Sequence, residues 1–420
     1  MRYATSYDVG DRKREDGINE DSVAIAVFED GHRDGYRHRP AADLREADQR
    51  ADAGDSGADA SDPHEAGDPA GEGTTDPHAG DDDRAGSDAS DPRDHRTLVD
   101  PVERADEAGD PGGETPTNRS VAVFALADGA GGHDAGDVAA YLATTAVCAE
   151  LAPVGIRAAR SDPGAFDVEV AAPLDPRPRP DDLEAAVAAA VVTAHREVLE
   201  YAAAAGRQAY TTVVAGVAVG GRLHYGWVGD SRAYLVNEAR ETITPVTSDH
   251  AVVEALAEVG ELDDVEARVH PRNNEITRAL GGTGDEDPET ATVQVETDTV
   301  PVYAEDTVLV TSDGLVDAQT DARRLYERYV AADRDEAAAE HVRERVVTDG
   351  EIRDRVLDAP SLDRAAADLV ALANDRGGKD NVSALLFRDP ALAPTPDSLP
   401  DRSPGLDEPI EDRQTTIGDD

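Results

Sequence analysis

Residues 31–118 hold almost nothing from which a core can be built. They are mostly Asp, Gly, Ala, Pro and Ser with scattered arginines, contain no Phe, Trp or Ile, and have Tyr36 as their one aromatic side chain. Such a stretch cannot bury enough apolar surface to offset the conformational entropy of ordering. It reads as a disordered acidic insertion whose 24 acidic and 9 basic residues give it a net charge of −15. Residues 389–420, with several prolines and no long apolar run, read as a second disordered acidic segment at the tail. Residues 153–182 read as a loop between helices. Roughly 270 residues remain, enough for one sizeable core. The expectation is one domain over residues 1–388, interrupted by the insertion.

Charge narrows the function. Across 420 residues, 90 Asp and Glu stand against 40 Lys and Arg, a formal charge of −50, so the part outside the insertion is acidic too. A chain this negative repels phosphate backbones and anionic lipid surfaces, so neither nucleic acid nor a membrane is an expected partner; a divalent cation is. The basic residues are almost all arginine, Lys13 and Lys379 being the two lysines. This composition resembles that of proteins from salt-accumulating halophiles, since in molar salt the Debye length falls to about 3 Å and carboxylate repulsion is screened. The single cysteine, Cys148, excludes an internal disulfide and a cysteine zinc site, and reads as a buried small residue on a helix. Residues 1–11 lack the apolar run of a signal peptide, and no run reaches the roughly 18 consecutive apolar residues of a membrane span. A cytoplasmic monomer is expected.

Short Val- and Ile-rich runs bounded by turn residues predict strands at 22–28, 120–126, 211–219, 223–228, 233–236, 291–295, 307–311 and 381–387. Helices are predicted at 137–151, 182–205, 252–257, 321–348 and 362–375, with Asp137, Asp182 and Asp321 as N-caps. Strands in adjacent pairs with long helices between the groups indicate an α+β layered sandwich rather than a doubly wound sheet. The insertion lies between two strands that otherwise form a hairpin, and a longer loop costs little, about 0.6 kcal/mol per doubling of its length.

In so acidic a chain the informative carboxylates are those at strand ends beside glycine. Four places qualify: Asn19-Glu20-Asp21 before the first strand, Asp128-Gly129 after the second, Asp313-Gly314 after the run at 307–311, and Lys379-Asp380-Asn381 before the last strand. Rigid strand ends brought together can hold hard cations between oxygen ligands. Any one alone is an ordinary solvated turn.

Taken in order, Asn19-Glu20-Asp21, Asp128-Gly129-Ala130-Gly131-Gly132-His133, Thr211-Thr212, Gly229-Asp230-Ser231-Arg232, Ser248-Asp249-His250, Arg278-Ala279-Leu280-Gly281, Ser312-Asp313-Gly314-Leu315 and Gly378-Lys379-Asp380-Asn381 resemble the metal-dependent type 2C Ser/Thr protein phosphatases of bacterial form. The resemblance covers both ends of the folded core and breaks at the insertion and at 153–182. It implies a four-layer α-β-β-α sandwich of two antiparallel sheets flanked by helices. It also implies hydrolysis of phosphoserine and phosphothreonine in phosphoprotein substrates by a water activated on a binuclear Mn²⁺ or Mg²⁺ centre. Carried over by position, Asp128 bridges both metals and the Gly129 carbonyl joins one of them. Asp313 and Asp380 hold the other. Glu20 and Asp21 order metal-bound waters or ligate directly, and Asp230 with Asp313 forms a weaker third site. Asn381 steadies the Asp380 loop and Gly314 supports the Asp313 turn. Oxygen-only ligands suit Mg²⁺ or Mn²⁺ rather than Zn²⁺.

Two departures from the pattern stand out. Where the family has a phosphate-clamping arginine, four residues before Glu20, this chain has Asp16. Arg12 or Arg14, in Arg12-Lys13-Arg14-Glu15-Asp16-Gly17, is the expected replacement, since a guanidinium pairs bidentately with phosphate; the alternative is no clamp at all. The position of the eukaryotic general-acid histidine is Ala130, and His133 follows three residues on. His133 either protonates the leaving oxygen or hydrogen-bonds the glycine loop.

Asp249 and His250 are expected to orient their loop, and Arg232 to form an ion pair near Asp230. The resemblance makes 252–286 a mobile flap, where Arg268, His270 and Arg272 can meet a phosphopeptide. A dinucleotide-binding turn at Gly129-Ala130-Gly131-Gly132 is disfavoured because the last glycine of that motif falls on Asp134. The alternative function is a catalytically weak phosphatase-like protein that binds a phosphorylated partner in signalling. The insertion is a solvated spacer or a partner-docking segment.

Overall fold

The computed structural model describes residues 1–13, 17–28, 120–130, 135–159 and 180–404. The insertion at 31–118 lies outside them, as do Arg14, Asp16, His133 and residues 405–420. Two antiparallel sheets face each other. One has the order β1 (Arg2–Asp8), β12 (Val382–Arg388), β11 (Asp306–Thr311), β7 (Arg232–Asn237), β8 (Thr242–Pro245). The other runs β10 (Glu296–Pro301), β6 (Arg222–Val228), β5 (Val213–Val219), β3 (Val121–Ala130), β4 (Ala209–Thr211), β9 (Leu280–Gly282), with β2 (Asp21–Phe28) also paired to β3.

Alternation along the strands builds the layers. Ala122, Phe124 and Leu126 of β3 turn inward to meet Tyr225, Trp227, Leu235, Val310, Leu385 and Phe387 between the sheets. Val121, Val123, Ala125 and Ala127 turn outward under helices α1 (Gly136–Ala159) and α2 (Pro180–Ala205). On the other outer face, Leu309, Ala384 and Leu386 pack beneath α7 (Asp349–Asp358) and α8 (Leu362–Arg376). A strand covered on both faces reads as a nearly unbroken apolar run, which is why these strands were visible in the sequence. The four-layer α+β architecture agrees with expectation.

The differences follow a rule. The strands not anticipated, β1, β8, β9 and β10, all lie at sheet edges, where the anticipated β2, paired to β3 alone, also lies. Edge strands have one neighbour and tolerate polar side chains, so pairing rather than hydrophobicity defines them. The strand expected at 291–295 is instead β10, Glu-Thr-Asp-Thr-Val-Pro, whose register sets Glu296 opposite Trp227 and Pro301 opposite Arg222.

The helix expected over 321–348 is broken. It forms α5 (Ala322–Ala331) and α6 (Glu336–Arg343), because Asp333 and Arg334 take left-handed φ of 54° and 57° and Asp335 caps a new start by accepting from Ala338 N at 2.8 Å. Asp321 takes the N-cap position of α5 without a side-chain capping bond. Asp137 and Asp182 lie inside the first turns of α1 and α2 rather than at their caps.

Helix α1 also continues through Pro153 to Ala159 where a loop was expected. Burial of Leu151, Gly155 and Ala158 against the sheet offsets the hydrogen bond that proline removes. α1 is long and apolar enough to cross a membrane, yet ten of its residues are buried in this core. Cys148 on it is half-buried rather than buried, and loss of solvation pushes its thiol up to about 12.

The expected disordered tail is corrected for residues 389–404. Arg402 is buried and donates to Asp306 Oδ2 at 2.6 Å, its guanidinium 5.8 Å from the Tyr303 ring centre. Thr395 bonds Glu305 and Asn237, and Ala304 N donates to Ala393 O at 2.9 Å. This strap is ordered by polar bonds, which a search for apolar runs does not detect.

Candidate metal centre

The carboxylates singled out in the sequence come from strand and loop ends of both sheets. Asp21 and Asp128 stand opposite each other at the end of the β2–β3 ladder. The Asp128 backbone is held on both sides: its N–H donates to Thr212 Oγ1 at 3.0 Å, and its carbonyl accepts from Thr212 N and Thr211 Oγ1 at 2.8 Å each. Thr212 Oγ1 meets Ser231 Oγ at 2.7 Å, which ties this strand end to Asp230 after β6. On the other sheet, β11 leads into a 3₁₀ turn, Asp313–Leu315, and Ser312 Oγ donates to Asp21 Oδ2 at 2.8 Å. The two sheets are thereby joined at the site.

The backbone packs closely at two glycines. A Cβ on Gly314 would collide with the Asn381 carbonyl, so only glycine lets the Asp313 turn rest on the Asp380–Asn381 loop. A Cβ on Gly129 would collide with Gly136 at the start of α1. Asn381 does more than steady Asp380. Its Oδ1 accepts from Glu20 N at 2.9 Å and its Nδ2 donates to the carbonyls of Val9 and Ile18, so it also positions the Glu20–Asp21 loop.

The crowding is electrostatically costly. Loss of solvation, then the charges of Asp21, Asp313, Asp230 and Asp380, pushes the Asp128 carboxyl well above the ordinary aspartate range. Desolvation first, then Asp380 and Asp317, raises Asp313 to about 7. Asp21 rises to about 6, chiefly through desolvation, with partial relief from serine hydroxyls. Asp230 is raised by burial and then by Asp313 and Asp249, and Glu20 by burial against the opposing pull of Lys13. Oδ1 of Asp21 is buried with no hydrogen-bond partner. Among the described residues, Lys13 brings a cation to the site, paired with Asp380 and, at 3.7 Å, with Glu20. An oxygen-only donor set, mutually repelling carboxylates and an orphaned carboxylate oxygen together fit hard divalent cations. The group is spread, and among the described residues no three acidic, His or Cys side chains close into a compact cage.

Other expectations fare unevenly. Of the two described residues of the segment 12–14, Lys13 reaches the carboxylates, while Arg12 is exposed and its backbone N–H bonds Gly378 O at 3.1 Å; Arg14 lies outside the described residues. Lys13, Ser312, Thr212 and Ser231 were not anticipated as site residues, although the rarity of lysine marked Lys13. His250 orients the Asp230 loop as expected, its Nδ1 accepting from Gly229 N at 3.0 Å. Arg232 forms its expected ion pair near Asp230, with Asp249 at 2.6 Å. In the flap, Arg268 bonds Val347 O and Asp349, Arg272 pairs with Glu275, and His270 sits edge-on to Tyr326. The three side chains thus have partners within the chain.

The chain matches the sequence profile described as Protein phosphatase 2C over residues 114–349, a span that holds Asp128, Asp230 and Asp313. It is 28% identical over 279 residues to the serine/threonine phosphatase stp of Listeria welshimeri, a match covering 66% of this chain and 88% of that one. Against the serine/threonine protein phosphatase PstP of Mycobacterium tuberculosis it is 31% identical over 264 residues, 63% of this chain and 40% of PstP. The fold is shared with a crystal structure of a bacterial serine phosphatase at a TM-score of 0.50 and 20% identity, covering 95% of this chain and 100% of that one.

Proposed function

The chain belongs to the protein phosphatase 2C family, and from that premise we propose how its carboxylates serve the reaction. It is a Ser/Thr protein phosphatase that hydrolyses phosphoserine and phosphothreonine in proteins. When bound, two divalent cations, Mn²⁺ or Mg²⁺, supply positive charge to the phosphoryl group and lower the pKa of the attacking water. Asp128 and the Gly129 carbonyl, with Asp313 and Asp380, hold the pair; Glu20 and Asp21 complete it, and Asp230 with Asp313 holds a weaker third ion. Thr211, Thr212 and Ser312 fix the carboxylates before substrate arrives, so little reorganisation accompanies reaction.

The Lys13 contacts with Asp380 and Glu20, with Arg12 exposed, support Lys13 rather than Arg12 as a cation that accompanies the substrate phosphate, and Arg14, outside the described residues, stays a candidate beside it. The leaving oxygen takes its proton from solvent or from His133. The protein works as a cytoplasmic monomer in high salt, and its partners are phosphoproteins.

The observation that carries this reading is the crowding of Asp128 by four other aspartates, with Lys13 paired to one of them, Asp380. The test is hydrolysis of 4-nitrophenyl phosphate and a phosphoserine peptide in molar salt. Turnover is expected with Mn²⁺ or Mg²⁺, is lost on chelation, and falls on the order of 10³-fold in Asp128→Asn. Turnover that survives both chelation and the substitution would sink it.

A further inference from the structure

Glu296, the first residue of edge strand β10, is a half-buried acid that the metal chemistry does not use. The β10–β6 register sets it opposite Trp227. The Trp227 ring stacks on that of His250, with centres 6.1 Å apart and planes 13° from parallel, and its Nε1 donates to Ser248 O at 2.8 Å. His250 stands at the head of a long excursion: α3 (Val252–Glu258) and α4 (Asp264–Ala267) follow before the chain comes back at Arg278. There the two ends meet, Thr277 N donating to His250 O at 2.7 Å. Both His250 and Arg278 are buried. Glu296 Oε1 lies 3.2 Å from His250 Nε2 and accepts from Arg278 Nη1 at 3.0 Å. Strand pairing thus delivers a carboxylate to a buried histidine and arginine.

The imidazole is held to one of its three forms. Its Nδ1 accepts from Gly229 N at 3.0 Å, so Nδ1 keeps a lone pair and the ring proton sits on Nε2. A doubly protonated ring cannot accept that bond, and neither can a neutral ring with its proton on Nδ1. Loss of solvation disfavours the charged ring, against the pull of Glu296, and Arg278, 3.3 Å from Nε2, disfavours it further. Glu296 then decides which nitrogen holds the single proton, because an acceptor at Nε2 gives an Nε2–H its partner.

What this imidazole holds is the turn into Asp230. Gly229 O accepts from His250 N at 3.0 Å, so the backbone and the ring of the histidine grip both sides of one residue. Two residues on, Ser231 Oγ meets Thr212 Oγ1 at 2.7 Å, and Asp128 N donates to the same threonine hydroxyl at 3.0 Å. A slackened Gly229 therefore acts on Asp230 directly and on Asp128 through Ser231 and Thr212.

We infer that Glu296, with Arg278 as its counter-charge, is a positioning residue for the cation site: it fixes the Nε2–H form of His250, whose Nδ1 clamps the turn that presents Asp230. This rests on the reading of Asp230 as a carboxylate that holds a divalent ion.

The test compares Glu296→Leu with Glu296→Gln in the full-length protein with ¹⁵N-labelled histidine, the His250 signals being those missing from His250→Gln. In the wild type, the imidazole ¹⁵N shifts are expected to report protonated Nε2 and bare Nδ1. In Glu296→Leu the proton should be shared between the two nitrogens, and exchange of the Gly229 amide should quicken about tenfold, the scale of one buried hydrogen bond. The weakest Mn²⁺ binding step, followed by calorimetry, should loosen about tenfold as well. Glu296→Gln, whose amide oxygen can accept from Nε2–H, should restore the tautomer and bring exchange back to within about twofold of wild type. If Glu296→Leu does not fold, Arg278→Met combined with Glu296→Leu removes both charges and carries the same readouts. A His250 that stays wholly in the Nε2–H form without Glu296, or a glutamine variant that behaves like the leucine one, overturns the assignment. An altered tautomer with unchanged Mn²⁺ binding overturns the link to Asp230. If the wild type binds no Mn²⁺, the reading of the carboxylates fails, and tautomer and exchange still decide the part played by Glu296.

Discussion

The two ends of strand β11 each carry an aspartate, and the chain treats them in opposite ways. At the start, Asp306 is fully buried and both its oxygens are met, Oδ1 by Asn237 Nδ2 at 2.7 Å and Oδ2 by Arg402 at 2.6 Å and Tyr303 N at 2.9 Å. Seven residues on, Asp313 has Asp380 and Asp317 as neighbours, and loss of solvation, then their charges, raises its pKa. The sequence can evidently bring an arginine from almost a hundred residues away to neutralise a carboxylate. At the other end it leaves negative charge only partly compensated. A protein that solves one such problem and not the other reserves the second place for cations it does not encode.

The largest expected effect tests the solved end. Removing one partner of a buried ion pair strands the other charge, so Arg402→Ala should lower unfolding free energy by about 3–5 kcal/mol. A urea titration at saturating Mn²⁺ measures this, and a loss under about 1 kcal/mol would mean Asp306 is not neutralised by the strap. The unsolved end should respond with opposite sign. Without divalent ions at pH 8, Asp128→Asn removes repulsion and should stabilise the fold by about 1 kcal/mol, or roughly 2–4 °C in a thermal melt. A melt in which the variant is less stable than the wild type would break the comparison.

The smallest effect is in the pH dependence. Asp21 and Asp313, at about 6 and about 7 in the fold against an ordinary 3.8, keep protons that the unfolded chain has released. Folding therefore takes up protons, and stability from these groups is fully present below the unfolded value and is lost as pH climbs through 6 to 7. The advantage of Asp128→Asn seen at pH 8 should shrink at pH 5, where the wild-type carboxyls are protonated. An advantage of equal size at both values would show that repulsion among ionised carboxylates is not its source.

The interior was legible in the sequence because a strand buried on both faces carries an unbroken apolar run, as 121–127 of β3, Val213–Val219 of β5 and 308–310 of β11 do. The edges were not, because Glu296 to Pro301 is a strand by virtue of its partner rather than its own composition. The same holds for the strap: Arg402 looks like a surface residue until Asp306 is found beneath it. Asp128, Asp313 and Asp380 could be named because their order along the chain matches a family. That Lys13 rather than Arg12 meets the carboxylates goes with the tight turn closed by Lys13 N to Gly10 O at 3.1 Å, a matter of backbone geometry that residue type does not encode.

Lysine is so scarce in this chain that its two side-chain amines both lie beside the carboxylates, Lys13 on Asp380 and Lys379 on Asp317. Amine-directed reagents thus have no other lysine to consume them. Acylation of the unmodified protein, read peptide by peptide in a mass spectrometer, becomes a site-specific reporter: Lys13 senses whether its carboxylates are engaged elsewhere, and Lys379 senses whether its pairing with Asp317 holds. In most proteins such a probe has to be engineered, and here the composition of the surface has cleared the background.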